Sequence, residues 1–282
     1  MSMEETRQKD IERIKELCLL DDIFMKVVLK DNIPGVQDIV RVLLKRDDID
    51  VTEVRVQDEW NNLVGHSVRL DVTAEDSEKK RYNIEVQRAS EGANAKRARY
   101  NLGALDWHTL PAGADYAVLP EAFIIFITET DVLGHGLPLY TVNRFVEETG
   151  EKFPDSAHIL YANASYRGDD PIGKLMSDFR EKDPGKMNYR SLAEPAGFYK
   201  NIEGGKVSMS QIMDELRAEG VAMGIRQGRA EGRAEGRAEG RAAMIRALLL
   251  DNFEEDLLLG KQFKSLQITE KEINDAKKTL RS

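Results

Sequence analysis

LVGHSVRLDVTAEDSEKKRYNIEVQR, residues 63–88, reads as two β-strands joined by a short polar turn. Val68, Leu70, Val72 and Ala74 alternate with Arg69, Asp71 and Thr73, and Tyr82, Ile84 and Val86 alternate with Arg81, Asn83, Glu85 and Gln87. Strict period-2 alternation marks a strand with two different faces. A turn centred on Glu78 sets Asp71 opposite Glu85 and Arg69 opposite Gln87, with Cβ atoms of such pairs about 4.5–5.5 Å apart. Two opposed carboxylates repel, so the pair needs a compensating charge. A hard divalent ion supplies it, taking one or two carboxylates plus waters. Arg69 and Arg81 on a solvated sheet face supply it equally well, and the alternation leaves both readings open.

Outward from the hairpin, Val51–Trp60 alternates weakly and suggests an earlier strand, with Asn61-Asn62 as a turn signal, so three strands form an antiparallel meander. Residues 4–30 read as one helix with Leu17, Leu20, Phe24, Val27 and Val28 on a stripe, and with Asp21 and Asp22 inside it. Pro34 and Gly35 are expected to end that helix. A second helix follows over 36–46, with Arg41, Lys45 and Arg46 on its outer side. Residues 91–110 read as a helix whose first half carries Lys96, Arg97, Arg99 and Tyr100, a set suited either to a phosphate backbone or to a solvated face with Tyr100 in the core. Phe123–Thr128 is a continuous apolar run of strand length, the pattern of a central buried strand. A Gly/Pro-rich loop over 131–138, an edge strand over 139–142, another strand over 158–162 and mixed helix and loop over 171–200 complete this part.

The chain has 282 residues and a net charge of −9, which argues against a globally basic nucleic-acid coat but not against a local basic groove. The single cysteine, Cys18, excludes an internal disulfide and fits a cytoplasmic, reducing setting. The start is too charged for a secretory signal, and the apolar runs are too short to span a bilayer. His66, His108, His135 and His158 show no zinc spacing, and no G-x-S-x-G element occurs, so zinc and serine-nucleophile chemistry have no sequence support.

Several segments resemble, in order, the PD-(D/E)XK nuclease family transposases and the related Rpn recombination-promoting nucleases. They are LDDIFMKVVL (20–29), VRLDVTAED (68–76), YNIEVQ (82–87), KRARY (96–100), FIIFITETDVLGHGLPLYT (123–141) and the GRAEGRAEGRAEG repeat. The resemblance implies an α/β fold: a PD-(D/E)XK restriction-endonuclease-like core, a mixed sheet flanked by helices. It implies a Mg²⁺- or Mn²⁺-dependent DNA endonuclease, with Asp71 and Glu85 as metal ligands, Asp22 approaching the metal from the first helix, and Gln87 orienting the attacking water. Gln87 stands where the motif usually has Lys, and a neutral amide cannot stabilise developing negative charge as an ammonium does. Lys96, Arg97 and Arg99 would meet DNA. A rival reading is a nuclease descendant that binds DNA or acts as an oligomeric scaffold without turnover.

From Gly224 the chain runs GIRQGRAEGRAEGRAEGRA. Arg229, Arg233 and Arg237 repeat at i+4, as do Glu231, Glu235 and Glu239, so each stripe repels itself within one helix. The arrangement improves if an Arg stripe meets a Glu stripe on another helix. The expected organisation is a nuclease-like domain over 1–205 and a helical arm over 206–282, the arm making a homo-oligomer and holding two helices around Gly260.

Overall fold

The structure is a computed structural model, described for residues 12–60, 68–88, 90–201, 221, 228, 232, 236, 239–250 and 268–281. Two compact units emerge, Met1–Glu215 and Leu216–Ser282.

The hairpin forms as its alternation demands. β2 (Val68–Asp76) and β3 (Arg81–Gln87) pair antiparallel with Val72 opposite Ile84, Thr73 opposite Asn83, Ala74 opposite Tyr82 and Glu75 opposite Arg81. The paired register ends at Val72 and Ile84, and Asp71 and Glu85 are the next residues of the two strands. The turn is pinned by one side chain. Asp76 Oδ1 accepts from the backbone N–H groups of Glu78 and Lys80 at 3.0 and 2.8 Å, and Oδ2 accepts from the Tyr82 hydroxyl at 2.8 Å. Lys79 takes the left-handed φ of 68° that so tight a reversal needs.

β1 (Val51–Trp60) pairs antiparallel with β2, completing the meander. Beyond β3 the sheet changes sense. β4 (Ala122–Thr128) runs parallel to β3, β6 (Ala157–Asn163) runs parallel to β4, and β5 (Leu139–Val142) closes the edge antiparallel to β6. The order β1-β2-β3-β4-β6-β5 makes a six-stranded mixed sheet. Every residue of β4 is buried, as expected of a strand covered on both faces.

Helices flank the sheet. α1 (Asp22–Leu29) and α2 (Ile33–Leu44) come first, then α3 (Ala95–Thr109) in the crossover from β3 to β4, then α4 (Pro171–Arg180) and α5 (Arg190–Lys200). α3 lays Ala98, Leu102 and Leu105 against Ile124 and Phe126 of β4. Phe123, Ile125 and Ile127 point to the other face by the strand period and are equally buried, so neither face is left to water. α1 contacts β1, β2 and β3, and α2, α4 and α5 pack with it or with one another.

Three readings of the sequence need correction. The helix expected over 4–30 is interrupted: residues 12–16 are helical, 17–21 turn, and α1 starts at Asp22, with residues 1–11 outside the described set. Asp21 is thus the residue before α1 rather than a mid-helix acid. Pro34 and Gly35 begin α2 rather than ending a helix, because proline at the first turn loses no hydrogen bond that the helix would have made. Asn32 caps it, accepting from the Gly35 N–H at 3.0 Å while its amide donates to the carbonyls of Val28 and Ser191. The acid-bearing side of the hairpin is also not a solvated face. Asp71, Thr73, Glu75, Asn83 and Glu85 are all buried. Arg81 ion-pairs with Glu75 at 2.6 Å rather than with the Asp71/Glu85 pair, and the side chain of Arg69 lies outside the described residues.

In the second unit, residues 239–250 and α6 (Glu270–Arg281) are helical. Ile245, Ile268, Ile273 and Ala276 form a small core with Met244, Leu248 and Leu249 packed against it. Arg241, which extends the Arg stripe by one more step of four, ion-pairs with Glu272 of the same chain. The expected break at Gly260 and the residues Arg229, Glu231, Arg233, Glu235 and Arg237 lie outside the described residues. Among the described residues no helix is long and apolar enough to cross a membrane.

Candidate functional site

Glu85 sits in the middle of β3 with no exposed surface, in register with Phe126 on the parallel neighbour. A carboxylate there needs donors, and α3 brings two from successive turns of one helix side. Arg97 Nη2 donates to Glu85 Oε2 at 2.6 Å and Asn101 Nδ2 donates to Oε1 at 2.9 Å. Arg97 is itself steadied by the Gly92 carbonyl at 3.2 Å. α3 can aim both groups because Asn94 caps it by accepting from the Arg97 N–H, which fixes where the helix starts.

Asp71 is served from the other end of the chain. Lys26 of α1 places its Nζ 3.0 Å from Asp71 Oδ1 and 2.5 Å from Asp22 Oδ2. Asp22 and Lys26 are four residues apart, hence on one side of the helix. Lys26 is almost fully buried, although its neighbours on α1 are Phe24, Met25 and Val28. Among the described residues Asp22 Oδ1 is buried with no hydrogen-bond partner.

The electrostatics follow from this crowding. Burial pushes the Asp71 carboxyl up to about 6, with Asp22 adding to the rise and Lys26 and Arg97 opposing it. Burial likewise lifts Glu85 to about 7, the charge of Asp71 adding to it and Arg97 pulling against it. Burial works against the Lys26 ammonium, but Asp71 and Asp22 outweigh it and hold its pKa above the ordinary value. Three acids, Asp22, Asp71 and Glu85, thus stand with two bases, Lys26 and Arg97; Asp71, Glu85 and Lys26 are buried, while Asp22 and Arg97 reach solvent.

Gln87 ends β3, its backbone carbonyl accepting from Glu129 N–H at 3.0 Å. Its side chain lies hard against Gly92: a Cβ on that glycine would stand 1.9 Å from Gln87 Oε1. Arg88, the next residue, ion-pairs with Asp21 at 3.0 Å and so ties the end of β3 to the approach to α1. Cys18 is buried in that approach, in the turn between residues 12–16 and α1.

The structure therefore gathers Asp22, Asp71 and Glu85 into one charge network, with Gln87 two residues beyond Glu85. It divides the basic set of α3. Lys96 and Arg99 are exposed, whereas Arg97 turns inward to Glu85. Tyr100 is 46 % exposed and so is not the core residue that one reading of its position expects. Sequence reasoning missed Lys26 and Asn101. The available signals were a lysine four residues after Asp22 inside an otherwise apolar helix, and an asparagine one turn after Arg97.

Compared with family models, curated proteins and solved structures, the chain matches none of them.

Among the described residues no three His, Cys, Asp or Glu side chains stand together as a ready-made metal cage. The donor chemistry nonetheless suits a hard cation. Asp71 and Glu85 offer carboxylate oxygens whose ionised forms are destabilised by burial, and Asp22 Oδ1 is a third oxygen without a donor among the described residues. A divalent ion of the Mg²⁺ type needs only one or two such carboxylates, with water supplying the rest.

Proposed function

We propose that the unit Met1–Glu215 is a Mg²⁺- or Mn²⁺-dependent DNA endonuclease of the PD-(D/E)XK type, working in a transposase-like or recombination-promoting setting. The observation that carries this reading is the buried, mutually repelling Asp71/Glu85 pair on adjacent strands. A fold gains no stability from burying like charges, so the pair makes physical sense as a place for a cation.

Asp71 and Glu85 would hold the ion, with Asp22 joining from α1. The ion supplies Lewis acidity toward a phosphodiester and lowers the pKa of an attacking water. Glu85 is kept in one orientation by Arg97 and Asn101, so it meets a ligand without reorganising. Gln87, pressed against Gly92, orients a water through its amide but adds no charge. Lys96 and Arg99 are exposed on α3 and would take DNA phosphates. Arg97 acts through Glu85 instead of on DNA.

One observation favours the rival reading, a nuclease descendant that binds DNA or serves as an oligomeric scaffold without turnover. Lys26 and Arg97 already partner the acids, which lets the site persist with no metal at all. Supercoiled plasmid incubated with the full chain and Mg²⁺, Mn²⁺ or EDTA separates the two readings. Metal-dependent nicking that Asp71→Asn abolishes supports the enzyme. Equal, EDTA-insensitive behaviour of parent and variant, with DNA still retarded on a gel, supports the scaffold.

A further inference from the structure

We propose that Lys26 is the resident counter-ion of this site and that a divalent cation enters by evicting it from Asp71 and Asp22. The inference rests on the metal-dependent reading above and adds the residue that sets how tightly the ion is held.

The placement of the ammonium is the ground for it. Lys26 Nζ lies 2.5 Å from one carboxylate and 3.0 Å from the other, between an acid of α1 and an acid of β2. A cation held by Asp22 and Asp71 would compete with the ammonium for the same carboxylates. The side chain is 4 % exposed, so bulk water does not screen it. A dipositive ion brought beside a fixed ammonium at low dielectric is repelled by it, so the two cannot share the position. Nor does the ammonium complete the site: it leaves Asp22 Oδ1 buried and without a donor. An ion with six oxygen ligands satisfies carboxylates on several sides, where a lysine offers three hydrogens on one atom. Arg97 does not play the same part. Its guanidinium belongs to Glu85 and is anchored to the Gly92 carbonyl, and it approaches from α3 rather than α1.

The consequence is an exchange: the stem of Lys26 stays packed in α1 while its head leaves the acids. Removing the ammonium should therefore strengthen ion binding, the opposite of what a residue that builds the site would show. Replacing it by arginine, which grips carboxylates with a planar fork, should weaken ion binding.

The test is Mn²⁺ affinity of the metal-free full chain, measured by isothermal titration at about pH 8, above the value of about 6 to which burial raises Asp71. Lys26→Met is expected to bind Mn²⁺ about tenfold more tightly than the parent or better, and Lys26→Arg more weakly than the parent. Binding gained by Lys26→Met where the parent shows none also supports the proposal. Equal or weaker binding by Lys26→Met, with Asp71→Asn abolishing it, overturns the proposal and leaves the metal site standing. No binding by the parent or by either Lys26 variant overturns both. Circular dichroism melting accompanies each titration. If Lys26→Met is unfolded, the arginine variant decides alone: weaker binding supports the exchange, and unchanged binding overturns it.

Discussion

Glu85 is a residue whose burial works against its own charge, and that conflict has a pH signature. The folded-state pKa values of Asp71 and Glu85 lie above those of the unfolded chain, near 3.9 and 4.3. Below those unfolded values both states are protonated and the pair is harmless. As pH rises through the window from about 4 to about 7, the unfolded chain ionises first, the native state holds more protons, and stability falls. Asp71→Asn and Glu85→Gln remove that slope. The melting temperature of either variant minus that of the metal-free parent is expected to grow from about pH 5 to about pH 8. A difference that stays flat across this range rules the conflict out. A divalent ion should raise the parent's melting temperature more at the upper end, where it no longer competes with protons. Arg97→Met tests the partner instead. It leaves Glu85 with Asn101 alone, and because Arg97 is 37 % exposed the cost is set below that of a fully buried pair, at about 2 kcal/mol in a urea titration. Strand period put the two acids on one face of the hairpin but left open whether that face was solvated, and it is buried. Their partners were not legible, because a sequence shows which side of a helix a residue occupies but not which strand that side will meet.

Among elements, strands were read better than helices. The boundaries of β1 and the whole burial of β4 follow from alternation and from one unbroken apolar run, signals local to each strand. Helix ends depend on who supplies the missing hydrogen bonds, and that is tertiary. Asn32 becomes a cap partly because Ser191, far along the chain, accepts from its amide, so Pro34 opens α2 where the local pattern pointed to a stop. Likewise α3 begins at Ala95, after a 3₁₀ turn over Ser90–Ala93, instead of at 91. That turn has a use. Gly92 stands against the Gln87 amide, and a methyl group there meets the end of a side chain instead of backbone. Gly92→Ala should therefore shift Gln87 while barely moving the melting temperature. If Gln87 positions the water, Mg²⁺-dependent nicking falls by roughly ten- to a hundredfold. Unchanged nicking with a normal melt would remove Gln87 from the reaction.

At the scale of the whole molecule, the structure divides into two compact units at Glu215/Leu216, where the sequence reading put the boundary at 205/206. The expected partner of the Arg stripe was another chain. The structure gives one member of it, Arg241, a partner in its own chain, and closes a small core of Ile245, Ile268 and Ile273 beside that ion pair. Self-association through the arm remains a proposal with a direct test. Light scattering should find the full chain larger than a monomer and a chain ending near Gly205 monomeric. The difference should shrink in high salt as exposed charge pairs are screened. Identical masses for the two would take the arm out of assembly. The order of the sheet has one more consequence, for the path to the fold. β3 reaches β2 across the short turn Ser77–Lys80, but reaches β4 only after a connection containing all of α3. The shorter loop costs less to close, so the hairpin is expected to form first, with its acids still hydrated. On that order Glu85 would lose its water when α3 docks with Arg97 and Asn101, and Asp71 when α1 brings Lys26 against it. An ion at Asp71 and Glu85 would then act as a folding aid before it ever served a reaction.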